Sequence, residues 1–385
     1  MTRALARVIE SANGTLVTLD GRALVSFAGC DLLGLARHRE VLAAAHGALD
    51  RYGASASASR TTTGTLRVHL DLEDALRRFF GTKDAVTLPA GWLAAQALAR
   101  VLAPDADSVL LDESAHPALI DAAHLVELPI ARYAHFNAED AARKARGEGR
   151  VLILTDGIDA ARGRLAPLPA LAKLAAATGG HLIVDDAHGA GVLGPTGRGT
   201  ASHLGVRGTR VNLVGSLSKA FGSQGGFVVG TTARCDAVRA EAAVFAGATP
   251  LAPSAAGAAA ASVRVAAAFF QDSARTRAYA ARIRQMRRHL TRLALPVPQP
   301  GLPWFSVTAE ALPSAGKPSL AKVSARLADL GFLVPAIDYF GGPEGGILKI
   351  AVSAAHTAAQ IDGLAAALES ALAPRATSSR RRTSR

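Results

Sequence analysis

Two hydrophobic rhythms divide the chain. From Gly14 to Phe27 apolar and polar residues alternate (TLVTLDGRALVSF), which predicts a short hairpin turning at Asp20-Gly21. Residues 39–52 and 69–80 carry apolar side chains at helical spacing. Short runs rich in β-branched residues follow at 85–88, 108–111, 151–155, 182–185, 211–215 and 227–230. Helical stretches, among them 91–102, 117–124 and 167–178, separate most of them. This alternation predicts an α/β fold with a mainly parallel central sheet covered by helices. Beyond residue 275 the rhythm changes. A long basic helix over 276–294 leads into short strands near 304–308, 331–335 and 347–352, and a final helix covers 357–372. The pattern divides into an N-terminal segment (1–38) that packs with a small domain, a large domain (39–275), a small α+β C-terminal domain (276–372) and a tail (373–385).

Composition refines this only in places. About half of the 385 residues are apolar and only 5% are aromatic, so the abundant alanine predicts a core built from small-residue helix packing. The formal net charge is +12, and the tail contributes Arg375, Arg380, Arg381, Arg382 and Arg385 with no acid. It reads as a solvated, disordered extension, with nucleic acid not expected as a partner. The two cysteines, Cys30 and Cys235, allow neither a disulfide framework nor a four-cysteine zinc site, and no metal is expected. The N-terminus lacks a continuous apolar stretch of the secretory kind. Residues 242–263 are uncharged, but alanine dominates the run and Pro250 and Pro253 interrupt it, so no membrane span is expected. These features predict a cytoplasmic protein.

Ligands of parallel sheets bind at the carboxyl ends of strands. Polar groups gather at four such ends: Asp185, Asp186 and His188 in LIVDDAH; Ser216, Ser218 and Lys219 after VNLVG; Asp112 and His116 after SVLL; and Gly91-Trp92, opening a helix after AVTLPA. A helix start there offers unpaired N–H groups to an anion such as phosphate. Singly, each has an ordinary explanation as a turn former, a helix cap or a solvated side chain. Together they suit one ligand that needs an acid, an amine, a flat stacking partner and a phosphate cradle. Ser216-x-x-Lys219 matches the S-x-x-K pattern of serine acylases, but SDN and KTG partners are absent. Asp185 and Asp186 are adjacent on a strand and face opposite ways, which disfavours a metal site. GPTGRGT (194–200) lacks the G-K-[ST] ending of a P-loop.

VDDAHGAGVLGPTGRGT (184–200) followed by GSLSKAFGSQGGFVVG (215–230) resembles the α-oxoamine synthases, which are fold-type I pyridoxal 5'-phosphate (PLP) enzymes. The likeness continues through LLGLARH (32–38), TGTLRVHLDLEDAL (63–76), AGWLAAQAL (90–98), DESAHPALIDAAHL (112–125) and SAAHT (353–357). The resemblance implies that Lys219 carries PLP and moves the substrate Cα proton. It implies that Asp185 pairs with the pyridine nitrogen, His188 hydrogen-bonds the phenolic oxygen and His116 stacks on the ring. Gly91, Trp92 and Ser216 then hold the phosphate. Thr249 matches a position that reaches the phosphate from a second subunit, implying a homodimer with shared sites. The implied reaction joins an amino acid to an acyl thioester, acyl-CoA or acyl carrier protein, with loss of CO2, and the best match is 8-amino-7-oxononanoate synthase-like activity on alanine.

Several positions depart from that pattern near the substrate. Lys349 stands where the family has the arginine that clamps the substrate carboxylate, keeping the charge but losing the bidentate fork. Cys30 replaces the asparagine of the family's NDYLGL motif and Leu32 its aromatic neighbour, Ala160 replaces a serine, Arg162 an aspartate and Asp156 a glutamate. These departures leave open a paralogue with another amino acid or acyl donor, an aminotransferase, or an inactive PLP-fold scaffold.

Overall fold

The structure is a computed structural model that describes residues 8–312 and 319–373, so the basic tail beyond Ala373 lies outside the described residues. The chain opens with three antiparallel strands, β1 (Ile9–Asn13), β2 (Leu16–Leu19) and β3 (Arg22–Ser26), with Asp20 and Gly21 both at positive φ in the turn between β2 and β3. Helices α1 (Arg39–Tyr52) and α2 (Arg67–Phe80) follow. The alternating region then runs β4 (Asp84–Leu88), α3 (Gly91–Leu102), β5 (Ser108–Asp112), α4 (Pro117–Leu125), β6 (Ile130–Tyr133), α5 (Ala138–Lys144) and β7 (Val151–Asp156). A two-stranded excursion, β8 (Ile158–Asp159) and β9 (Arg164–Leu165), precedes α6 (Leu168–Ala177) and β10 (His181–Asp185). The short α7 (Thr200–His203), β11 (Val211–Ser216), β12 (Gly226–Gly230), α8 (Thr232–Glu241) and α9 (Ala243–Gly247) complete this part.

Seven of these strands form the central sheet in the order β4-β12-β11-β10-β7-β5-β6. Only β12 runs antiparallel to its neighbours. The strands read as apolar runs because both faces are covered. Leu111, Leu152, Leu154, Ile183 and Val214 point into a cluster under α3, α4 and α8, while Leu110, Ile153, Leu182 and Val184 point into another under α5 and α6. The pattern did not single out β6, a four-residue edge strand (IARY) whose Arg132 is exposed.

The polypeptide then makes two long helices, α10 (Pro253–Gln271) and α11 (Ser273–Arg292). Pro253 does not interrupt α10 but occupies its first turn, where a missing N–H costs nothing. The helix is long and apolar enough to cross a membrane by length and composition alone. Half of its most apolar window is buried, however, and it packs on α1 and α2. A Cβ at Gly257 would lie 2.6 Å from the Ala44 carbonyl oxygen, so glycine lets α10 and α1 approach closely. This is the small-residue packing that the alanine content predicts.

The C-terminal part contains β13 (Trp304–Thr308), α12 (Leu320–Asp329), β14 (Phe332–Leu333), β15 (Ala336–Ile337), β16 (Ile347–Ala351) and α13 (Ala358–Leu372). The expected strand over 331–335 is divided. β14 pairs in parallel with β3, and β15 joins β13 and β16 in a separate sheet, β13-β16-β15. The chain changes sheets around Pro335, which has no N–H to give to a ladder. On β13 and β16, Phe305, Val307, Leu348 and Ile350 enter the large core cluster that also holds α2, α10, α11 and α13. The alternate residues Trp304, Ser306, Lys349 and Ala351 share the opposite face, because Ser306 pairs with Lys349 and Trp304 with Ala351 across the ladder.

Candidate active site

Parallel pairing of β10 with β7 and β11 brings three strand ends side by side, with Asp185 opposite both Asp156 and Val214. Beyond β11 the chain folds into a tight loop. Leu217 N–H donates to Gly225 O (2.9 Å), Ser223 N–H to Leu217 O (2.9 Å), and Gly222 N–H to Lys219 O (2.9 Å). The loop holds Lys219, half-buried, over the strand ends. His116 is the N-cap of α4: its Nδ1 accepts from Ala118 N–H at 3.2 Å, and its own N–H donates to Asp156 Oδ2 at 2.8 Å. His188 follows two residues after the β10 carboxylates, in ring contact range of Trp304 (centroids 5.7 Å apart).

The electrostatics show that these groups share one field. Burial pushes the His116 pKa down, with Asp185 opposing and Lys219 assisting. The pKa of His188 is held well below the ordinary imidazole value by burial, then by the charges of Lys219, Lys349 and His116. That leaves a neutral ring, able to donate one N–H and accept with the other nitrogen. Asp156 is driven far above the carboxylate range, first by burial and then by the negative charge of Asp185 next to it. Asp156 is thus pushed toward the protonated form. Asp186 points the other way along the strand: Thr200 N–H and Oγ1 bond its carboxylate at 2.7 and 2.5 Å, and burial lifts its pKa to about 7.

Helix α3 begins at Gly91 with no side-chain cap, so the first N–H groups are free for an anion. Gly91 abuts Ser216: a Cβ there would stand 2.9 Å from Ser216 Cβ. Ser216 Oγ lies 2.6 Å from Ser218 Oγ. Trp92 is exposed at the helix start, with Nε1 donating to Asp121 Oδ2 at 2.9 Å and its ring edge-on to His116 at 5.4 Å. An uncapped helix start beside a serine, a strand-end carboxylate, a lysine and a capping histidine fits PLP. The first two suit its phosphate and the others its ring and aldehyde carbon.

A cleft of about 260 Å³ opens beside these groups, lined by His116, Asp156, His188, Ala160, Arg162 and Tyr339 among others. A larger hollow of about 380 Å³ lies between α2 and α10, but its lining holds none of the strand-end groups. Behind the lining residue Tyr339, Lys349 is only 4% exposed and its Nζ donates to the Tyr339 hydroxyl at 2.6 Å. The ammonium also sits 4.9 Å from the Tyr339 ring centroid and 5.7 Å from that of Trp304.

The structure therefore brings His116, Asp185, His188, Lys219 and Lys349 together, and sets Gly91, Trp92 and Ser216 at the neighbouring helix start. Thr249 is exposed on the segment between α9 and α10, two residues before Leu251, whose side chain abuts Gly225. Cys30 is a half-buried free thiol in the turn after β3, where its carbonyl accepts from Leu32 N–H at 2.8 Å. Asp112 does not itself line the cleft, although its partners Ser114 and His135 do. It is fully buried, and accepts from Ser114 N–H, Phe136 N–H and the His135 ring at 2.9, 3.0 and 2.7 Å. Sequence reasoning noted Asp156 only as a departure, although its place at the end of β7 was the available signal. Tyr339 and Trp304 carried no signal at all, since both are single aromatic residues outside any motif.

The aminotransferase class I and II family model matches residues 23–368. The chain is 37% identical to the 8-amino-7-oxononanoate synthase of Thioalkalivibrio sulfidiphilus, over 94% of this chain and 92% of that protein. It is 36% identical to the one of Methylococcus capsulatus, over 95% and 94%. Among solved structures, serine palmitoyltransferase from S. paucimobilis with bound PLP is similar, with a TM-score of 0.87 at 26% identity, covering 95% of this chain and 92% of that one.

Proposed function

We propose a decarboxylative joining of an amino acid to an acyl thioester as the reaction of this chain, which belongs to the aminotransferase class I and II family and, within it, to the α-oxoamine synthases. The observation that carries this reading is the shared field of Lys219, Asp185, His116 and His188 beside the uncapped start of α3. PLP, when bound, supplies the electron sink that lets a proton leave the amino-acid Cα.

Around it the chain's own residues divide the work. The N–H groups of Gly91 and Trp92 and the hydroxyl of Ser216 bind the phosphate. Asp185 would hold a proton on the pyridine nitrogen, and Asp156 beside it is pushed by burial and by Asp185 toward its neutral form. His116 would offer its ring to the cofactor and His188 would donate its one N–H to it. Lys219 would carry the cofactor, and its amine would take the Cα proton and later return one. Lys349 binds the substrate carboxylate and so fixes which Cα bond faces Lys219. A bond forms between Cα and the acyl carbonyl carbon, the thiol departs, the carboxylate leaves as CO2, and an α-amino ketone remains.

The substrates this reading favours are alanine and a pimeloyl thioester, those of 8-amino-7-oxononanoate synthase, with acyl-CoA or acyl carrier protein as donor. It further includes a cytoplasmic homodimer in which Thr249 reaches the partner's phosphate site, Cys30 near the substrate, and chain divisions near residues 38 and 275. Two measurements test the core of it. Purified protein absorbs in the visible PLP–lysine band, and Lys219→Ala loses the borohydride-trapped adduct; an adduct that persists in Lys219→Ala refutes the assignment. A panel of amino acids titrated against that band identifies the substrate, with alanine expected to give the largest response.

A further inference from the structure

The exchange of a guanidinium for an ammonium at Lys349 removes one of two parallel donors from the carboxylate clamp. The structure shows what stands in the gap. Lys349 Nζ donates to the Tyr339 hydroxyl at 2.6 Å, so the phenol's own proton is free to be given elsewhere. No described residue accepts it, and Tyr339 lines the cleft together with His116, Asp156 and His188. Lys349 is 4% exposed, and Tyr339 is its one hydrogen-bond partner among the described residues. On the same face of the β13-β16 ladder, Trp304 Nε1 and Ser306 Oγ are also buried without a partner. A buried ammonium and three further polar atoms with spare hydrogen-bonding capacity mark a place built for an anion rather than a finished core.

We propose that Tyr339 is a specificity-determining residue: its hydroxyl is the second donor of the carboxylate clamp and acts with Lys349 in place of the missing guanidinium fork. The inference rests on the reading that Lys349 binds the substrate carboxylate. The ammonium polarises the phenol by donating to its oxygen, which strengthens the O–H as a donor toward the cleft. Both donors lie within 2.6 Å of each other, so one carboxylate can engage both. Tyr339 itself is half-buried on the segment between β15 and β16, and phenylalanine fits there without loss of a core contact.

The test titrates PLP-loaded protein with L-alanine and with ethylamine, which is alanine's amine without the carboxylate, and reads binding from the cofactor absorbance. Tyr339→Phe is expected to weaken alanine about tenfold, the worth of one hydrogen bond to a charged group, and to leave ethylamine unchanged. Adding Lys349→Arg to Tyr339→Phe is expected to recover most of the lost alanine affinity, because the guanidinium brings its own second donor. Unchanged alanine binding in Tyr339→Phe, equal weakening of both amines, or no recovery with arginine overturns the proposal. Lys349→Met separates the two levels. If Lys349→Met weakens alanine alone while Tyr339→Phe does not, only the role of Tyr339 fails. If Lys349→Met leaves alanine untouched, the carboxylate reading of Lys349 fails with it.

Discussion

Gly91→Ala probes the phosphate cradle with a single methyl group. A Cβ at residue 91 falls 2.9 Å from Ser216 Cβ and 3.2 Å from its Oγ. Carbon atoms in comfortable contact lie about 3.5–4.0 Å apart, so the start of α3 or the Ser216 turn must retreat by roughly 0.6–1 Å. Such overpacking costs about 1–3 kcal/mol. Alanine's better helix propensity offsets up to about 1 kcal/mol of it. The apo fold should therefore lose about 3 kcal/mol at most and persist. The phosphate fares worse, because its donors on the two sides of the cradle no longer converge. Losing one charge-assisted hydrogen bond weakens PLP binding about 10- to 100-fold. The assay is PLP titration of the apo protein, paired with thermal unfolding of the same samples. Gly47→Ala, on α1 with nothing within 4 Å of the added methyl, serves as the control and should gain about 0.5–1 kcal/mol with no change in PLP affinity. A well-folded Gly91→Ala protein with the parent's PLP affinity would refute the cradle.

Three further outcomes follow from the structure. Arg60 and Glu73 form a buried ion pair (3.0 Å, side chains 5% and 6% exposed), and Arg60→Ala, which removes the nearer cation from the carboxylate, should cost about 3 kcal/mol in urea unfolding; a loss under about 1 kcal/mol would show that Thr87 and Arg239, which also face Glu73, hold it without Arg60. Burial disfavours the charged form of His135, but bonds to Asp112 and Asp159 outweigh it and lift the pKa to about 9. Because this lies above the unfolded value of about 6.5, the pair's contribution is complete below that pH and is lost as pH rises through about 9. Urea midpoints should fall between pH 6 and pH 9.5 in the parent and stay flatter in His135→Gln; equal falls would exclude the pair as the source. Asp156→Asn should bind PLP nearly as the parent does, since burial and Asp185 already push that carboxyl toward its neutral form, whereas a large loss would mean that Asp156 works as an anion.

Much of the fold was legible because the central strands are buried on both faces and therefore written as apolar runs. α1 and α3 fall on their predicted bounds for a similar reason, a clear apolar stripe. β6 was not legible, since an edge strand with Arg132 exposed has no such run. Nor was the division at Pro335, where two two-residue strands serve different sheets. In the candidate site, the gathering of Asp185, His188, Lys219 and His116 was readable because all four follow the ends of predicted strands. Tyr339 was not. Its meaning lies in a contact with Lys349 ten residues away across an irregular segment, and spacing alone does not encode that contact. Asp112 holds the same kind of strand-end position as Asp185, and its bonds with Ser114 N–H, Phe136 N–H and the His135 ring show it to be a turn anchor.

The alternation along β16 carries a historical consequence. Leu348 and Ile350 are committed to the main core while Lys349, between them, lies on the opposite face and bonds Tyr339. A one-residue insertion or deletion in the segment before this strand would exchange the two sets unless a bulge absorbed it. On the proposed roles of Tyr339 and Lys349, substrate preference can drift by substitution at positions 339 and 349, whereas changes of length just upstream disturb the core itself. Descendants of this chain should differ in the letters at those sites far more readily than in the spacing between them.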